Sequence, residues 1–317
     1  MQERNWIELA LFIGLLLAVT RPLGTFLAGV FEGRVQFLRP IEHAIYRLSA
    51  IDPDHEMSWR EYVVALLAFN LLGGLVVLGM EMTQAWLPAN PQHLPNVPFA
   101  LAFNTAISFM TNTNWQAYSG EATMSDFTQM VGLAVHNFVS AATGLAVAVA
   151  LMRGLVRKQA SGIGNFWRDL TRSTLYVLLP LSIVIALVLA QQGVPQSFAH
   201  YASATTLEGA TQQIPLGPVA SQIAIKQLGT NGGGFFGQNS THPFENPTPL
   251  SNFIEVAVIF FLGSALVYMF GLMAGDRRQA WAIWAAMFAL FIAGFATLWW
   301  AELQPNPALG LTTPSLE

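Results

Sequence analysis

The sequence predicts an all-α polytopic membrane protein with six transmembrane helices. Of its 317 residues, 53% are hydrophobic and 10% are charged, whereas soluble domains carry roughly 25% charged residues. Six apolar runs are each long enough for the helix of roughly 20 residues that crosses a hydrocarbon core of ~30 Å. Cysteine is absent, which excludes disulfides and thiolate metal sites.

The six apolar runs are separated by segments richer in charge, proline and glycine. The fourth run contains Pro180, which predicts a kink because proline cannot donate a backbone hydrogen bond. We interpret the first run as a helix rather than a cleaved signal peptide, since no small-residue cleavage site follows it. The predicted helices are 6–31, 62–80, 127–152, 173–192, 256–275 and 279–301.

Basic residues lie in alternate segments between these runs. Three of the segments hold eleven of the 14 lysines and arginines, the others hold only Arg4 and Lys226, and Arg21 lies within the first run. Because loops rich in Lys and Arg stay on the cytoplasmic side, both termini and the segments 81–126 and 193–255 are predicted to lie outside. The eleven are Arg34, Arg39, Arg47, Arg60, Arg153, Arg157, Lys158, Arg168, Arg172, Arg277 and Arg278.

Each long outer segment contains an apolar stretch that is too short to span a membrane. These stretches, 97–110 and 218–228, reach roughly 18 Å at ~1.5 Å per residue, about half of the membrane. We therefore predict two re-entrant segments that enter from outside and turn back. Irregular backbone at that depth is tolerated where it is buried in protein or lines a watery cavity.

The two turning points are alike and indicate an internal repeat. "FMTNTNWQAYSGE" and "LGTNGGGFFGQNS" share a Thr-Asn pair, and the related stretches "MSDFTQ" and "LSNFIE" open the third and fifth helices. The repeated unit is a helix, a half-helix, an irregular turn and a helix. The predicted organisation is an N-terminal helix with a cytoplasmic loop (1–60), a first repeat (61–156), a second repeat (157–276) and an incomplete third repeat with an outer tail (277–317).

The glycine-rich second turn favours a cation over a phosphate group. A half-helix that enters from outside directs its carbonyl end at the membrane centre, where the helix dipole favours a cation. Glycine adopts positive φ at little cost, so the following turn can present further carbonyls in place of a hydration shell. A phosphate loop would follow a strand and place Lys-Ser or Lys-Thr after the glycines, whereas here Phe235 and Phe236 follow them.

Three motifs, "TNTNWQAYSGE", "IKQLGTNGGGFFGQNSTHPFENP" and the "RPLG" of the first helix, closely resemble the potassium-binding subunit of the bacterial Kdp potassium-transporting P-type ATPase, the KdpA family. The resemblance covers the whole chain. It implies potassium-channel-like helix–loop–helix repeats whose re-entrant filter loops surround one potassium site. The chain would bind K⁺ from the periplasmic side and pass it through the inner membrane, while a partner subunit hydrolyses ATP and small accessory subunits complete the complex.

The resemblance also assigns site residues. It implies no catalytic residue and neither nucleotide nor nucleic acid bound by this chain, which lacks a D-K-T-G phosphorylation motif. His136, Asn137 and Asn239 are candidates for the pore or vestibule, although bonds between packed helices account equally well for His136 and Asn137. The potassium filter residues are Thr111, Asn112, Thr113, Asn114 and Gln116 in the first loop, and Gly229, Thr230, Asn231, Gly232, Gly233 and Gly234 in the second.

Lys226 precedes the second loop by three residues and has two interpretations. It is either a tethered cation at the ion site or a lysine on the back of the half-helix that snorkels or pairs with an acid. We favour the second interpretation, because a lysine directed at the site would compete with the potassium ion.

Members of the KdpA family are close to twice as long and have four filter loops, whereas this sequence contains two. We therefore expect a truncated or split N-terminal portion, in preference to a chain that completes its ring by self-association. Three rival functions stay open. They are a passive or gradient-driven potassium channel or transporter of the same superfamily, a membrane enzyme acting on a phosphorylated substrate, and a non-functional fragment.

Overall fold

The computed structural model describes residues 3–157, 162–199 and 201–304, with side chains from Trp6 onward, and most of these residues are helical. Lys158 and the predicted outer tail from residue 305 lie outside the described residues. The helices are α1 Glu3–Phe31, α2 Arg39–Leu48, α3 Trp59–Thr83, α4 Phe99–Met110, α5 Gly120–Thr123, α6 Val135–Val156, α7 Phe166–Arg172, α8 Leu179–Gln191, α9 Val219–Leu228, α10 Pro249–Met273 and α11 Arg277–Glu302.

Within the described residues, six helical spans are long and apolar enough to cross a membrane, which confirms the predicted set of long helices. The fourth span begins at Phe166, earlier than the predicted residue 173. The reason is the cap at Asn165, whose side chain accepts a hydrogen bond from the Arg168 amide at 3.1 Å and so starts the helix. The spans are Trp6–Phe31, Trp59–Trp86, Thr128–Val156, Phe166–Gln191, Pro249–Met273 and Arg277–Glu302.

Two π-helical segments, Thr128–Ala134 and Ser173–Leu178, interrupt the α-helical hydrogen bonding of the third and fourth spans. The second segment lies directly before Pro180, which occupies the first turn of α8. Proline lacks an N–H group and crowds the carbonyl four residues before it, and a wider π turn relieves both effects. The expected disturbance at Pro180 therefore takes the form of a π-helical segment inside a continuous span.

An antiparallel β hairpin between α8 and α9 makes the all-α prediction wrong for this segment. Strand β1 (Ala202–Thr205) pairs with β2 (Thr211–Ile214), and both strands are largely exposed. The connecting turn contains Gly209, whose φ of 85° is left-handed. Threonines flanking a glycine turn are a hairpin signal, but a weak one in a chain whose hydrophobic pattern is otherwise helical.

The order of long helix, short helix, irregular segment and long helix occurs twice, in α3–α4–α6 and in α8–α9–α10. Helix α4 packs on α3, whereas α9 packs on both α8 and α10. All residues of α9 except Ser221 are buried. The largest hydrophobic cluster joins Ile223 of α9 to Val149 of α6 and to Phe235 and Phe236 beyond α9. The second short helix and the segment after it therefore lie inside the bundle.

A buried carboxylate fastens α2 to the start of the fourth span. Glu42 accepts hydrogen bonds from Arg172 Nε at 2.7 Å, from the Tyr176 hydroxyl at 2.7 Å and from the Tyr46 hydroxyl at 2.8 Å. Burial raises the pKa of Glu42, but the hydrogen bonds from Arg172, Tyr176 and Tyr46 outweigh it and hold the pKa below its usual value. The carboxylate is therefore charged at neutral pH.

A second buried ion pair joins α6 to α7. The Arg153 guanidinium donates to both Asp169 oxygens, at 2.5 and 2.8 Å, and the Tyr62 hydroxyl donates to the same carboxylate at 3.1 Å. The two charged side chains are 10% and 1% exposed. In contrast, the neighbouring pair of Arg157 and Glu56, 3.0 Å apart, is 35% and 55% exposed. The two pairs allow a matched comparison of buried and exposed arginines.

We expect Arg153→Met to lower the free energy of unfolding by about 3–5 kcal/mol, because Asp169 is left buried without its cation. The control Arg157→Met removes an exposed arginine, and such pairs contribute about 1 kcal/mol or less. Denaturant unfolding of both variants in the same detergent measures the difference. Equal destabilisation by the two substitutions would contradict the role assigned to the buried pair.

Candidate functional site

Each short helix is followed by an irregular loop. Loop 1 comprises residues 111–116 after α4, and loop 2 comprises residues 229–234 after α9. The helices end at Met110 and Leu228, and the last carbonyls of a helix carry the negative end of its dipole. Both loops therefore begin at an electronegative helix end.

The two loops are in direct contact. The Asn112 side chain donates to the Gly229 carbonyl at 3.2 Å and accepts from the Asn231 side chain at 2.5 Å. Gln116 Nε2 donates to the Gly234 carbonyl at 3.0 Å. The structure thus brings together the two segments that the sequence analysis assigned to one site.

Left-handed backbone conformations shape both loops. In loop 1, φ is 62° at Asn112 and 52° at Asn114, and in loop 2 it is 53° at Thr230, 85° at Gly232 and 67° at Gly233. Asparagine and glycine tolerate this region, whereas a β-branched residue there is strained. Thr230 is therefore held in place by its surroundings, a feature that is common at ligand-binding sites.

Side chains of α6 hold both loops from one side. Asn137 Oδ1 accepts from the Asn114 side chain at 2.5 Å. The Asn231 side chain donates to the Asn137 carbonyl at 3.2 Å and to Ser140 Oγ at 3.1 Å, and Ser140 Oγ donates to Asn112 Oδ1 at 2.7 Å. Three of these residues belong to the loops and two to α6, so one polar network fixes the loops to the helix.

The backbone carbonyls of the loops fall into two groups. The first group accepts hydrogen bonds from side chains of Ser108, Asn112, Gln116 and Lys226. It comprises the carbonyls of Trp115, Gly229, Gly233 and Gly234. The second group accepts no hydrogen bond from any residue within 3–157, 162–199 or 201–304. It comprises the carbonyls of Thr111, Asn112, Thr113, Asn114, Gln116, Thr230, Asn231 and Gly232.

Unpaired carbonyls of loop 1 approach the glycines of loop 2. A Cβ atom on Gly233 would lie 2.5 Å from the Asn114 carbonyl oxygen, and one on Gly232 would lie 3.4 Å from the Thr113 carbonyl oxygen. A side chain at Gly233 would therefore displace the Asn114 carbonyl oxygen, and one at Gly232 would begin at the surface of the Thr113 carbonyl oxygen.

The threonines of the loops are exposed, unlike the asparagines that bond to α6. Thr111, Thr113 and Thr230 are exposed, whereas Asn114 and Asn231 are buried. The loop pair is consequently supported on one face and open on the other.

The remaining predicted candidates lie in different surroundings. His136 is 7% exposed and packs on Gly73 of α3, where an added Cβ would lie 2.7 Å from the imidazole Nε2. This position fits the packing interpretation of His136. Asn239 is exposed, with a φ of 46°. Of the three, Asn137 is the residue that the structure places against the loops.

Two buried glutamines that the sequence analysis missed hold the chain beyond loop 2. Gln129 Nε2 donates to the Phe235 carbonyl at 3.0 Å, and Gln222 Nε2 donates to Gln129 Oε1 at 3.0 Å. Gln129 lies in the first π-helical segment and Gln222 in α9. The available signal was an amide side chain inside an otherwise apolar helical stretch, which requires a polar partner when it is buried.

Lys226 pairs with an acid, which confirms the favoured interpretation. Its ammonium group lies 3.2 Å from Glu245 Oε2, and both side chains are fully buried. The same ammonium donates a hydrogen bond to the Gly233 carbonyl.

Residues 10–317 match the family model of the potassium-transporting ATPase A subunit, KdpA. The chain belongs to this family. It is 58% identical to the potassium-transporting ATPase potassium-binding subunit of Pseudomonas entomophila (strain L48) over 98% of this chain and 56% of the relative. The subunit of Rhodospirillum centenum is 55% identical over 98% of this chain and 55% of the relative.

A third relative, from Mesorhizobium japonicum and carrying the same name, is 54% identical over 100% of this chain and 57% of its own length. The chain therefore spans a little over half the length of the curated KdpA proteins that it matches.

A residue with a side chain in the left-handed region costs about 1–2 kcal/mol. We expect Gly233→Ala to destabilise the protein by more than this amount, because the alanine Cβ would also collide with the Asn114 carbonyl oxygen. The control is Gly144→Ala in α6, where nothing lies within 4 Å of an added Cβ. Thermal unfolding in detergent measures both variants. A Gly233→Ala protein as stable as the Gly144→Ala protein would show that the two loops do not pack as described.

Proposed function

We propose that loops 1 and 2 bind a potassium ion through backbone carbonyls. The main support for this proposal is that the two loops are in contact and that a set of their backbone carbonyls accepts no hydrogen bond from the described protein. Carbonyl oxygens replace the hydration shell of K⁺ in ion filters, and the ends of α4 and α9 add negative potential at the same place. The choice of potassium is supported by the names of the relatives, which are potassium-binding subunits.

The bound ion would lie among the backbone carbonyl oxygens of loops 1 and 2 that accept no hydrogen bond from the described residues. The amide nitrogens of Asn114 and Asn231 donate to the polar groups on α6 and so do not occupy the carbonyls of Thr230 or Gly232. The open face of the loop pair then admits further ligands. By resemblance to the KdpA family, these come from additional filter loops, and the predicted repeats 61–156 and 157–276 each contribute one loop.

We further propose that α4 with loop 1 and α9 with loop 2 are re-entrant segments on the outer side of a bacterial inner membrane. Helices of 12 and 10 residues are too short to span a ~30 Å core. The concentration of arginines in alternate segments supports an outer N-terminus and outer loops. Potassium would therefore enter from the periplasm.

Transport by the complex would be driven by ATP hydrolysis in another chain. This proposal is supported by the names of the relatives, which assign them to a potassium-transporting ATPase. The present chain would act as a non-catalytic, potassium-binding and translocating subunit that binds no nucleotide. Its partners would be the P-type ATPase subunit, small accessory subunits and the lipid bilayer.

Rubidium binding to the purified chain tests the function. We expect radioactive rubidium to be displaced by potassium and not by sodium, and Gly232→Asp to weaken binding roughly tenfold or more, equivalent to about 1.4 kcal/mol. The reason is that the new side chain and charge enter the space near the Thr113 carbonyl, where Gly232 has a φ of 85°.

The matched control is Gly209→Asp in the hairpin, which has the same φ of 85° and nothing within 4 Å of an added Cβ. It introduces the same charge and the same strain away from the loops, so we expect unchanged binding. Equal rubidium affinity of the Gly232→Asp and wild-type proteins would show that loop 2 is not part of the ion site. If the folded chain binds no rubidium, as monomer or dimer, the proposed function is contradicted.

A further inference from the structure

A lysine and a glutamate are fully buried behind loop 2. Lys226 lies on α9 and Glu245 lies beyond the loop, with 3.2 Å between Nζ and Oε2 and no exposure of either side chain. Moving two charges out of water is costly, and a buried ion pair adds little net stability unless further hydrogen bonds satisfy both groups. The hydrogen bonds of this pair therefore indicate what the pair does.

The lysine takes one carbonyl away from the candidate ion site. Its ammonium donates to the Gly233 carbonyl in addition to Glu245. A carbonyl oxygen that accepts a charge-assisted hydrogen bond is turned toward its donor. Gly233 is thus held toward α9, whereas the carbonyls of Thr230 and Gly232 accept no hydrogen bond from the described chain.

The glutamate holds the backbone that leaves loop 2. Glu245 Oε1 accepts from the Phe236 amide at 2.9 Å, and Oε2 accepts from the Ser240 amide at 2.6 Å. Ser240 has a φ of 70°, in the left-handed region. The carboxylate therefore replaces the secondary-structure partners that these two amides lack.

The pair also packs directly on the loop backbone. A Cβ atom on Gly234 would collide with Glu245 Oε1 and would lie 2.8 Å from Lys226 Nζ. Only a residue without a side chain fits between the ion pair and the facing loop. Gly234 is in turn fixed from the other side by Gln116, which donates to its carbonyl at 3.0 Å.

We propose that the ion pair of Lys226 and Glu245 is the positioning element of loop 2 and determines its ion selectivity. By fixing Gly233 and the two amides beyond the loop, it sets the direction of the carbonyls at Thr230 and Gly232. Lys226 is thereby neither an ion ligand nor a blocking cation. The selectivity part of this inference rests on the proposed function, whereas the positioning part does not.

The positioning role is tested by hydrogen–deuterium exchange, independently of ion binding. We expect Lys226→Met to raise exchange in peptides covering residues 235–241 roughly tenfold or more, because Glu245 loses its counter-charge and Gly233 loses its donor. The control Arg157→Met removes an exposed arginine far along the chain and leaves exchange in these peptides unchanged. Unchanged exchange in Lys226→Met would overturn the positioning role.

The selectivity role is tested by competition of sodium against bound rubidium. We expect Lys226→Met and Glu245→Gln each to reduce the preference for potassium over sodium roughly tenfold or more, since a misdirected carbonyl loses the coordination geometry. The double variant Lys226→Met/Glu245→Gln removes both charges of the pair, so it regains thermal stability relative to Lys226→Met while the preference stays reduced. If a single variant does not fold, the potassium preference of the double variant is measured instead.

The outcomes separate the two ideas. If the preference recovers together with stability in the double variant, the pair only supports the fold and the selectivity role is wrong. If the wild-type chain binds no rubidium, the proposed function is wrong, and the selectivity role is wrong as well because it depends on that function. Hydrogen–deuterium exchange of residues 235–241 still tests the positioning role.

Discussion

The structure depends on one constraint, which is that two stretches of irregular backbone lie within a bundle of apolar helices. Helices satisfy their own amides and carbonyls, whereas such loops need polar partners from elsewhere. Asn137 and Ser140 on α6, Gln129 in a π-helical segment and Lys226 on α9 supply those partners. Their bonds leave a defined set of carbonyls unused. The protein thus keeps particular carbonyl oxygens free for a ligand, because the donors around them bond to other acceptors.

Two of the buried ion pairs of lysine or arginine with an acid differ in what they contact. The pair of Arg153 and Asp169 joins two helices, and removal of either side chain should lower the free energy of unfolding. The pair of Lys226 and Glu245 instead contacts loop backbone at Gly233, Phe236 and Ser240. Its effect should therefore extend to the direction of carbonyls, which is a property that stability alone does not measure.

The sequence predicted the long helices and the two loops because these depend on local composition. Twenty apolar residues specify a span, and the glycines and asparagines of the loops specify positive φ. The contacts within the site were beyond the sequence because they are long-range. Nothing local to Lys226 identifies Glu245 as its acid, and nothing near Asn114 identifies Asn137 as its acceptor. The π-helical segments and the hairpin were missed since neither changes the hydrophobic pattern of its surroundings.

An ion bound between the unpaired carbonyls of the two loops can be located by anomalous X-ray diffraction from crystals of the protein grown in rubidium. Rubidium replaces potassium, and its position is then found without reference to the carbonyls. We predict an anomalous peak between the backbone of Asn112 and Thr113 and that of Thr230 and Gly232. A rubidium peak at another place, with none at these loops, would show that the loops do not hold the ion.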